Sequence, residues 1–598
     1  MKIPSFNKLK VAAGQRNHFE VGGDVITTND FGLLRPIFCR ECIPGDKLTI
    51  NIESFARLAP MPVPTFGRCE LINRAYYVRY ADIWQGWKSF IMQQPFFMNG
   101  QTYNFSHVPM VSNRQLVNTI CNVVNGLVTQ VYGDNPFDII KPSSSTFAKY
   151  KFTNAGRNFM AILNGLGYRL NFDDSDMTEF NLLPLLAYYK IYFDHFVPLR
   201  YKPSHTLRSV FSRANMDWSS FAGDLQSQLQ VPCYSYFNDD IFVNAWDNPM
   251  GPKTSTSLDG INDPRAFKDS SYDLSFVSAT SGYGASINQG PDTITNGDGV
   301  SAFLINACLK AQNWLYRKGL TSNSSYLTDI LSQFGVKPRE CCDGISVFLG
   351  KTVQPIQISD VMSTASSDTD NPNNLLGSYA GKGISYGDGT IHCECSDYGV
   401  LIVLTEISPK NPQYFQGYNR QLRHINYLDF YTPDFEKLGT QPIENGEIYH
   451  DYPDGRSSVT ARNNQVPGAL SNGVFGFAPR YYEYKVGSDK VLGDFNVKSL
   501  NTGLDAYYLA RTFGTFDRMP GFGLNQSFMS KQGDSQYNDF NRIFAYMGTD
   551  DVNGADHFYC YYTIHAHLES KMCSLTEAIP VFGDGDVIGV PANTPSGN

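Results

Sequence analysis

Two short clusters in this 598-residue chain carry side chains suited to metal or redox chemistry: Cys39-x-x-Cys42 and His392-Cys393-Glu394-Cys395. A zinc site needs such thiolates to converge on one point. Both clusters lie in strand-like sequence, where a spacing of three sends Cys39 and Cys42 to opposite faces. That is poor chelate geometry unless the chain bulges there. Of the twelve cysteines, Cys341 and Cys342 form a vicinal pair, and Cys69, Cys121 and Cys308 look like small core residues. The thiols read as reduced and buried, so no metal and no cofactor is expected. His565-x-His567 would put two imidazoles on one strand face. With no third ligand nearby in sequence, the expectation is buried or interface histidines. Asp584 and Asp586 lack the remaining ligands of a calcium loop. Gly282-Tyr-Gly284 and Gly381-Lys-Gly383 do not follow a strand and open a helix, as a phosphate loop must. No zinc-protease or Walker pattern occurs. Spacing leaves open only a sequence-distant carboxylate pair of the glycosidase kind, and no catalytic residue is assigned.

A second kind of chemistry is electrostatic. Lys2, Lys8, Lys10 and Arg16 all precede the first acid, Glu20, in a chain whose formal net charge is −9. Contact with nucleic acid must therefore come from a local patch such as this one, not from the overall field. The other reading is a frayed, solvated terminus. Aromatic residues make up 14% of the chain and charged residues only 18%, a mix that suits β-rich scaffolds and large subunit interfaces. The 51 glycines and 32 prolines argue for many turns and long loops rather than a helical bundle. The N-terminal stretch lacks the apolar core of a signal peptide, and no run of about 18 apolar residues occurs. A soluble, reducing compartment and no membrane span are expected.

The elements that would position these groups are mainly strands. In Asp46–Leu58, Leu48, Ile50 and Ile52 alternate with polar residues, the period of a half-buried strand, after a turn at Ile43-Pro44-Gly45-Asp46. Pro60, Pro62 and Pro64 make an extended bridge, and Cys69 to Ile83 is a long strand run ending at Trp84 and Trp87. Leu116 to Val131 is an apolar segment of helical character. Phe147 to Leu163 is patterned as a helix, and Leu182 to Phe196 as another with a broad apolar stripe. Asp174 to Glu179 supplies acids for the positive end of the latter. From about 202 to 300 the pattern dissolves, with 251–300 dominated by Ser, Thr, Gly, Asn and Asp, a stretch either disordered or an excursion from the main body. Helices are expected at Ala302–Arg317 and Tyr326–Phe334, and short strands at Gly344–Gly350 and Gln354–Val361. Thr364–Asn374 reads as a polar loop and His392–Ile407 as a strand, with Tyr398–Leu404 buried on both faces. The stretch 410–520 is rich in loops and aromatics, and Ala555–Cys573 alternates for many residues. Strong strands open and close the chain with long excursions between them. Late strands must therefore lie beside early ones, as in a Greek-key double sheet.

Taken in order, the segments resemble the major capsid protein of the microviruses (Microviridae), in particular the gokushovirus-like and gut-associated branches. The resemblance rests on Leu33–Asp46, NRAYYVRYADIWQGW (Asn73–Trp87), LLPLLAYYKIYFDHF (Leu182–Phe196), Ala302–Val336, TEISPKNPQYFQGYNRQ (Thr405–Gln421), Leu428–Tyr449, Phe475–Phe495 and Leu504–Phe513. It does not extend to the segments near 202–300 and 364–392. The resemblance implies a mainly β fold with one eight-stranded antiparallel jelly roll. Residues 1–30 would be a basic arm, and 31–598 one discontinuous domain with insertions at about 88–340, 364–390 and 410–550. It also implies self-assembly into a T=1 icosahedral shell around a circular single-stranded DNA genome, with the arm residues Lys2, Lys8, Lys10 and Arg16 facing that DNA. Further expected partners are the phage's small DNA-binding and pilot proteins and a host surface receptor. Assembly would occur in the host bacterial cytoplasm, and no enzymatic role is implied. The competing reading is a carbohydrate-binding or carbohydrate-active β-sandwich whose tyrosines stack on sugars. Five Trp and the missing signal sequence weigh against it.

Overall fold

The computed structural model describes residues 16–98, 100–131, 139–142, 147–172, 176–198, 344–362, 379–410, 417–425, 440–448, 474–487, 489–495, 504–510, 539–544 and 556–572. It also describes a hairpin at 273–279 and 282–288 and short pieces within 202–245, 310–336 and 429–436. The expected helices at Ala302–Arg317 and Tyr326–Phe334, the loop Thr364–Asn374, Cys308, Cys341, Cys342 and the tail after 572 lie wholly or mostly outside these residues.

Ten strands form one curled antiparallel sheet: β1 (Asn17–Glu20), β2 (Gly23–Asn29), β3 (Arg35–Cys42), β4 (Lys47–Leu58), β5 (Arg68–Arg79), β6 (Val347–Met362), β7 (Tyr379–Gly387), β8 (Thr390–Glu394), β9 (Gly399–Lys410) and β10 (Phe558–Ser570). The order across it is β1–β10–β4–β7–β6–β5–β9–β3, with β2 also on β10 and β8 also on β4. β6 joins the two halves, because Val347–Ile356 pairs with β5 while Gln357–Met362 pairs with β7. The expectation of late strands beside early ones holds: β10 lies along β4 from Phe558↔Leu58 to Glu569↔Lys47, and β9 lies along β5.

The two halves fold face to face. Leu48, Ile50, Ile52, Ala56, Tyr562, Ile564 and Leu568 point into the common core. Polar bonds tie the layers across it. The hydroxyls of Tyr562 (β10) and Thr405 (β9) lie 2.7 Å apart, and Asn73 (β5) donates to the Ser54 (β4) hydroxyl at 2.9 Å. Buried polar groups must pair in this way or cost stability.

The outer faces differ. β10 alternates buried and exposed, so its layer is uncovered on the far side. Tyr398 is exposed, but β9 is buried on both faces over nearly its whole length, as expected up to Leu404. Helices inserted between β5 and β6 cover it: α1 (Asn113–Cys121), α2 (Asn154–Leu166) and α3 (Leu183–Ile191). A Cβ on Gly165 of α2 would stand 2.1 Å from the Pro36 carbonyl oxygen, so only glycine allows this close approach to β3. The Tyr188 hydroxyl of α3 donates to the Leu34 carbonyl at 2.9 Å.

Several boundaries depart from the sequence reading, each for a local reason. The Leu116–Val131 segment is helical only to Cys121. Ser112 and Gln115 cap α1 as a reciprocal box, and Gly126 (φ 68°) turns the chain into a strand at Val128–Val131. Phe147–Phe152 is not the start of a helix but a strand paired on both sides. The helix begins one residue after Thr153, whose hydroxyl accepts from the Gly156 amide at 3.2 Å. α3 has no stripe; Leu185 to Ile191 are all buried, and the helix continues into a π turn at Tyr192–Phe196. Its entry is held by the Asn181 side chain on the Leu183 amide (2.9 Å), with no acid in its first turn. The two short strands at 344–361 are one strand with a bulge between Phe348 and Gly350. His392–Ile407 is two strands, β8 and β9. The segment 202–300 contains an antiparallel hairpin, Asp273–Ala279 with Gly282–Asn288.

Under the inserted helices, Arg74 pairs with Glu406, which also accepts from Ser235, and the Arg74 guanidinium lies over the Phe196 ring at 5.4 Å. Glu406 has no exposed surface. Glu406→Ala therefore leaves a buried guanidinium unpaired and should lower unfolding free energy by about 3–5 kcal/mol. Removing Glu394, whose pair with Lys47 is exposed, should change it by less than about 1 kcal/mol. Urea denaturation of the two variants distinguishes these outcomes.

Candidate functional site

The cysteine clusters meet differently than their spacing suggests. The Pro44-Gly45 turn (Gly45 φ 96°) brings the end of β3 against the end of β8. The Gly45 amide donates to the Cys395 carbonyl and the Cys395 amide to the Asp46 carbonyl, both at 2.8 Å. Cys42 thereby neighbours Cys395, whose sulfur is 3.6 Å from that of Cys393. Cys39 is directed elsewhere, half-buried, as opposite faces require. Burial pushes the Cys39 thiol up to about 12, helped by Cys42 and Glu41. Cys42 is raised mainly by its hydrogen bond with Cys395, and Cys395 mainly by Cys393. Cys69 and Cys121 are buried in the core. Among the described residues no group of three His, Cys, Asp or Glu is arranged to hold a metal.

The uncovered face of the β1–β10–β4–β8 layer gathers histidines that the sequence scatters. Register places His392, Thr49, His567 and Glu20 in one row, and Glu394, Lys47, Glu569 and His18 in the next. All but Glu20 line a cleft of about 490 Å³. His392 Nδ1 is 3.1 Å from the Thr49 hydroxyl, and His567 Nδ1 pairs with Glu20. His565 and His567 are exposed on the isolated chain rather than buried. A third row crosses the sheet further along: Ile26, Tyr561, Phe55 and Tyr386. Composition forecast aromatic surfaces, but only pairing could reveal these rows.

Of the four arm bases, Lys2, Lys8 and Lys10 lie outside the described residues. Arg16 stands at the start of β1, and its guanidinium donates to the Gly45 carbonyl at 2.8 Å. The arm is thus anchored at the edge of the uncovered layer.

A second surface is a small unit in the loop-rich part of the chain. Thr440–Glu444 pairs with Val474–Pro479, and short turns at Arg420–Arg423 and Tyr482–Tyr484 pack on this hairpin. Arg420 bridges Glu444 (2.7 Å) and Glu447 (3.3 Å). The Tyr482 hydroxyl donates to Glu447, and that of Tyr418 to Glu444. Burial raises the Glu447 carboxyl above its usual range against the pull of Tyr482 and Arg420. His424 Nε2 meets Glu483 at 3.2 Å, and the Tyr481 amide donates to Gln441 at 2.8 Å. The network ties these loops to one another, which is what an interface requires.

The capsid protein (F protein) family model matches residues 7–119 and 279–565. The chain belongs to the capsid protein (F protein) family. It is similar to capsid protein VP1 of Chlamydia phage 1, with 23% identity over 583 residues, 88% of this chain and 92% of that protein. It is likewise similar to capsid protein VP1 of Bdellovibrio phage phiMH2K, with 22% identity over 533 residues, covering 85% and 87%. The chain is a virion component that assembles with other copies into a shell, as the microvirus resemblance implies. This decides against the carbohydrate reading. The family match skips 120–278, which takes in most of the unmatched 202–300 segment, but runs through 364–392, which motif comparison had left out.

Glu447→Ala should strip Arg420 and Tyr482 of a buried partner, a loss of about 1–3 kcal/mol. Hydrogen exchange should speed up in 440–448 and 481–485 while the amides of β4 and β9 stay protected.

Proposed function

We propose that this capsid protein closes into a T=1 icosahedral shell around a circular single-stranded DNA genome, is assembled in the host bacterial cytoplasm, and contributes to host attachment. Its role is structural and not catalytic. The observation that carries the reading is the strand order. The set β1/β2–β10–β4–β7/β8 faces the set β3–β9–β5–β6. Counting β1/β2 and β7/β8 as one interrupted strand each, this order supports a single eight-stranded jelly roll, an architecture shared by many shell-forming proteins. In the proposed division, residues 1–30 are an arm and the rest is one domain whose insertions at about 88–340, 364–390 and 410–550 decorate the roll. The excursion within 202–300 reaches the host receptor. The phage's small DNA-binding and pilot proteins join the shell from inside.

Electron microscopy of particles from cells expressing the chain with the phage's other proteins should show closed small shells. A stable monomer under every assembly condition would overturn the reading.

The arm is the proposed DNA contact, through Lys2, Lys8, Lys10 and Arg16. Four phosphate contacts to single strands give a log–log salt slope of roughly −3. Changing all four to Gln should lower DNA per particle, or its nuclease protection, and leave the shell intact. Unchanged DNA content in normal shells would remove the arm from genome binding.

A further inference from the structure

Shell assembly requires each copy to bury surface against its neighbours, and the small unit around Arg420, Glu444 and Glu447 is built to supply it. Large apolar side chains are displayed there on a fixed scaffold. Leu422 is 78% exposed, Ile425 75% and Phe430 52%, and Tyr431, Tyr484 and Val486 are also exposed. Phe430 and Tyr484 flank the His424 ring, whose centroid lies 5.5 Å from that of Phe430 and 5.6 Å from that of Tyr484. Tyr431 in turn lies 6.1 Å from Tyr484 and 5.1 Å from buried Tyr481. Together these six residues hold on the order of 600 Å² of exposed apolar surface, at the upper end for a monomer's largest patch. That approaches the ~800 Å² each partner gives to a standard interface.

The composition points the same way. Tyr, Phe and Arg are enriched at interface centres and Lys and Glu are depleted. Here Arg423 lies over the Tyr418 ring at 5.7 Å and Arg480 over Tyr481 at 5.1 Å. Lys485, bordering the patch, is held in an ion pair with Glu436 at 2.8 Å, as on a polar rim. The acids beneath are satisfied within the unit by Arg420, Tyr418, Tyr482 and His424. The loops therefore pay little ordering entropy on docking.

We infer that the face formed by Leu422, Ile425, Phe430, Tyr431, Tyr484 and Val486 is a contact between neighbouring copies of this chain in the shell. The assignment rests on the shell reading and adds where one subunit grips the next. The occupant is another capsid subunit, since a face this apolar, whose arginines lie over tyrosine rings and whose acids are paired within the unit, gives a phosphate backbone little to hold.

Three variants test it in cells expressing the chain with the phage's other proteins: Leu422→Asp with Ile425→Asp, the milder Leu422→Ser with Ile425→Ser, and Val124→Asp, a 76% exposed residue elsewhere. The Asp pair should cut particle yield at least about tenfold (~1.4 kcal/mol per tenfold in an association constant). Its soluble protein should keep the wild-type circular dichroism and melting temperature. The Ser pair should give an intermediate loss, and Val124→Asp none. Benzoylphenylalanine in place of Leu422 should cross-link, under light, one copy of the chain to another within purified particles. Wild-type yield from the Asp pair, equal loss from Val124→Asp, or a cross-link only to DNA or to a different protein would each overturn the assignment. Absence of particles from the wild-type chain would instead overturn the shell reading, and this surface with it.

Discussion

The pairing of β4 with β10, and of β5 with β9, is the constraint on which everything else in this capsid protein depends. Each ladder joins segments hundreds of residues apart and runs through a full strand length without a break. Such contacts are slow to form, because chain closure precedes any gain from pairing. Once formed, they make the connections between them nearly irrelevant to stability, since closure entropy grows only with the logarithm of length. The stretch from β5 to β6 can therefore hold three helices, a hairpin and much else, and the stretch from β9 to β10 a separate folded unit.

The two halves of the sheet are finished by different means. The β3–β9–β5–β6 half is buried under its own insertion, and charged groups trapped there find partners within the chain. Arg74 meets Glu406, and Lys190 meets Asp194 at 2.9 Å, whose other oxygen accepts from the Ser346 amide at 2.8 Å. Among the described residues the β1–β10–β4–β7/β8 half has no such cover. It presents rows of His, Glu, Thr and aromatic side chains, with Arg16 at its β1 edge. A shell-forming subunit needs this asymmetry: one side completed by itself, the others left for neighbours and contents.

The loop-rich part between β9 and β10 follows the same logic at smaller scale. Its tyrosines divide into two groups. Tyr481 and Tyr482 are buried, with Tyr482 bonded to an acid below, while Tyr431 and Tyr484 are exposed above them. One aromatic residue type thus serves both as scaffold and as contact surface. That is economical because its ring is apolar and its hydroxyl can be satisfied internally.

Much of this was legible in the sequence. The alternation in Lys47–Leu58 and Phe558–Ser570 declared the two strands and their buried faces, and the Ile43–Asp46 turn declared the reversal between β3 and β4. The wide separation of strong strands implied non-local pairing, and the order of motifs implied the family. Local chemistry also explains the misplaced boundaries, since the caps at Ser112 and Thr153 were present in the sequence but outweighed by apolar runs. What no local pattern could supply was register. His18, His392 and His567 share a cleft only because β1, β10, β4 and β8 align there, and Cys42 meets Cys395 rather than Cys39 because a turn abuts a distant strand end. Likewise, whether an apolar strand is covered on one face or two depends on where the inserted helices settle. Side-chain period is a property of a few neighbouring residues, whereas partners across a sheet are chosen by the burial of the whole core, and only the folded chain contains that information.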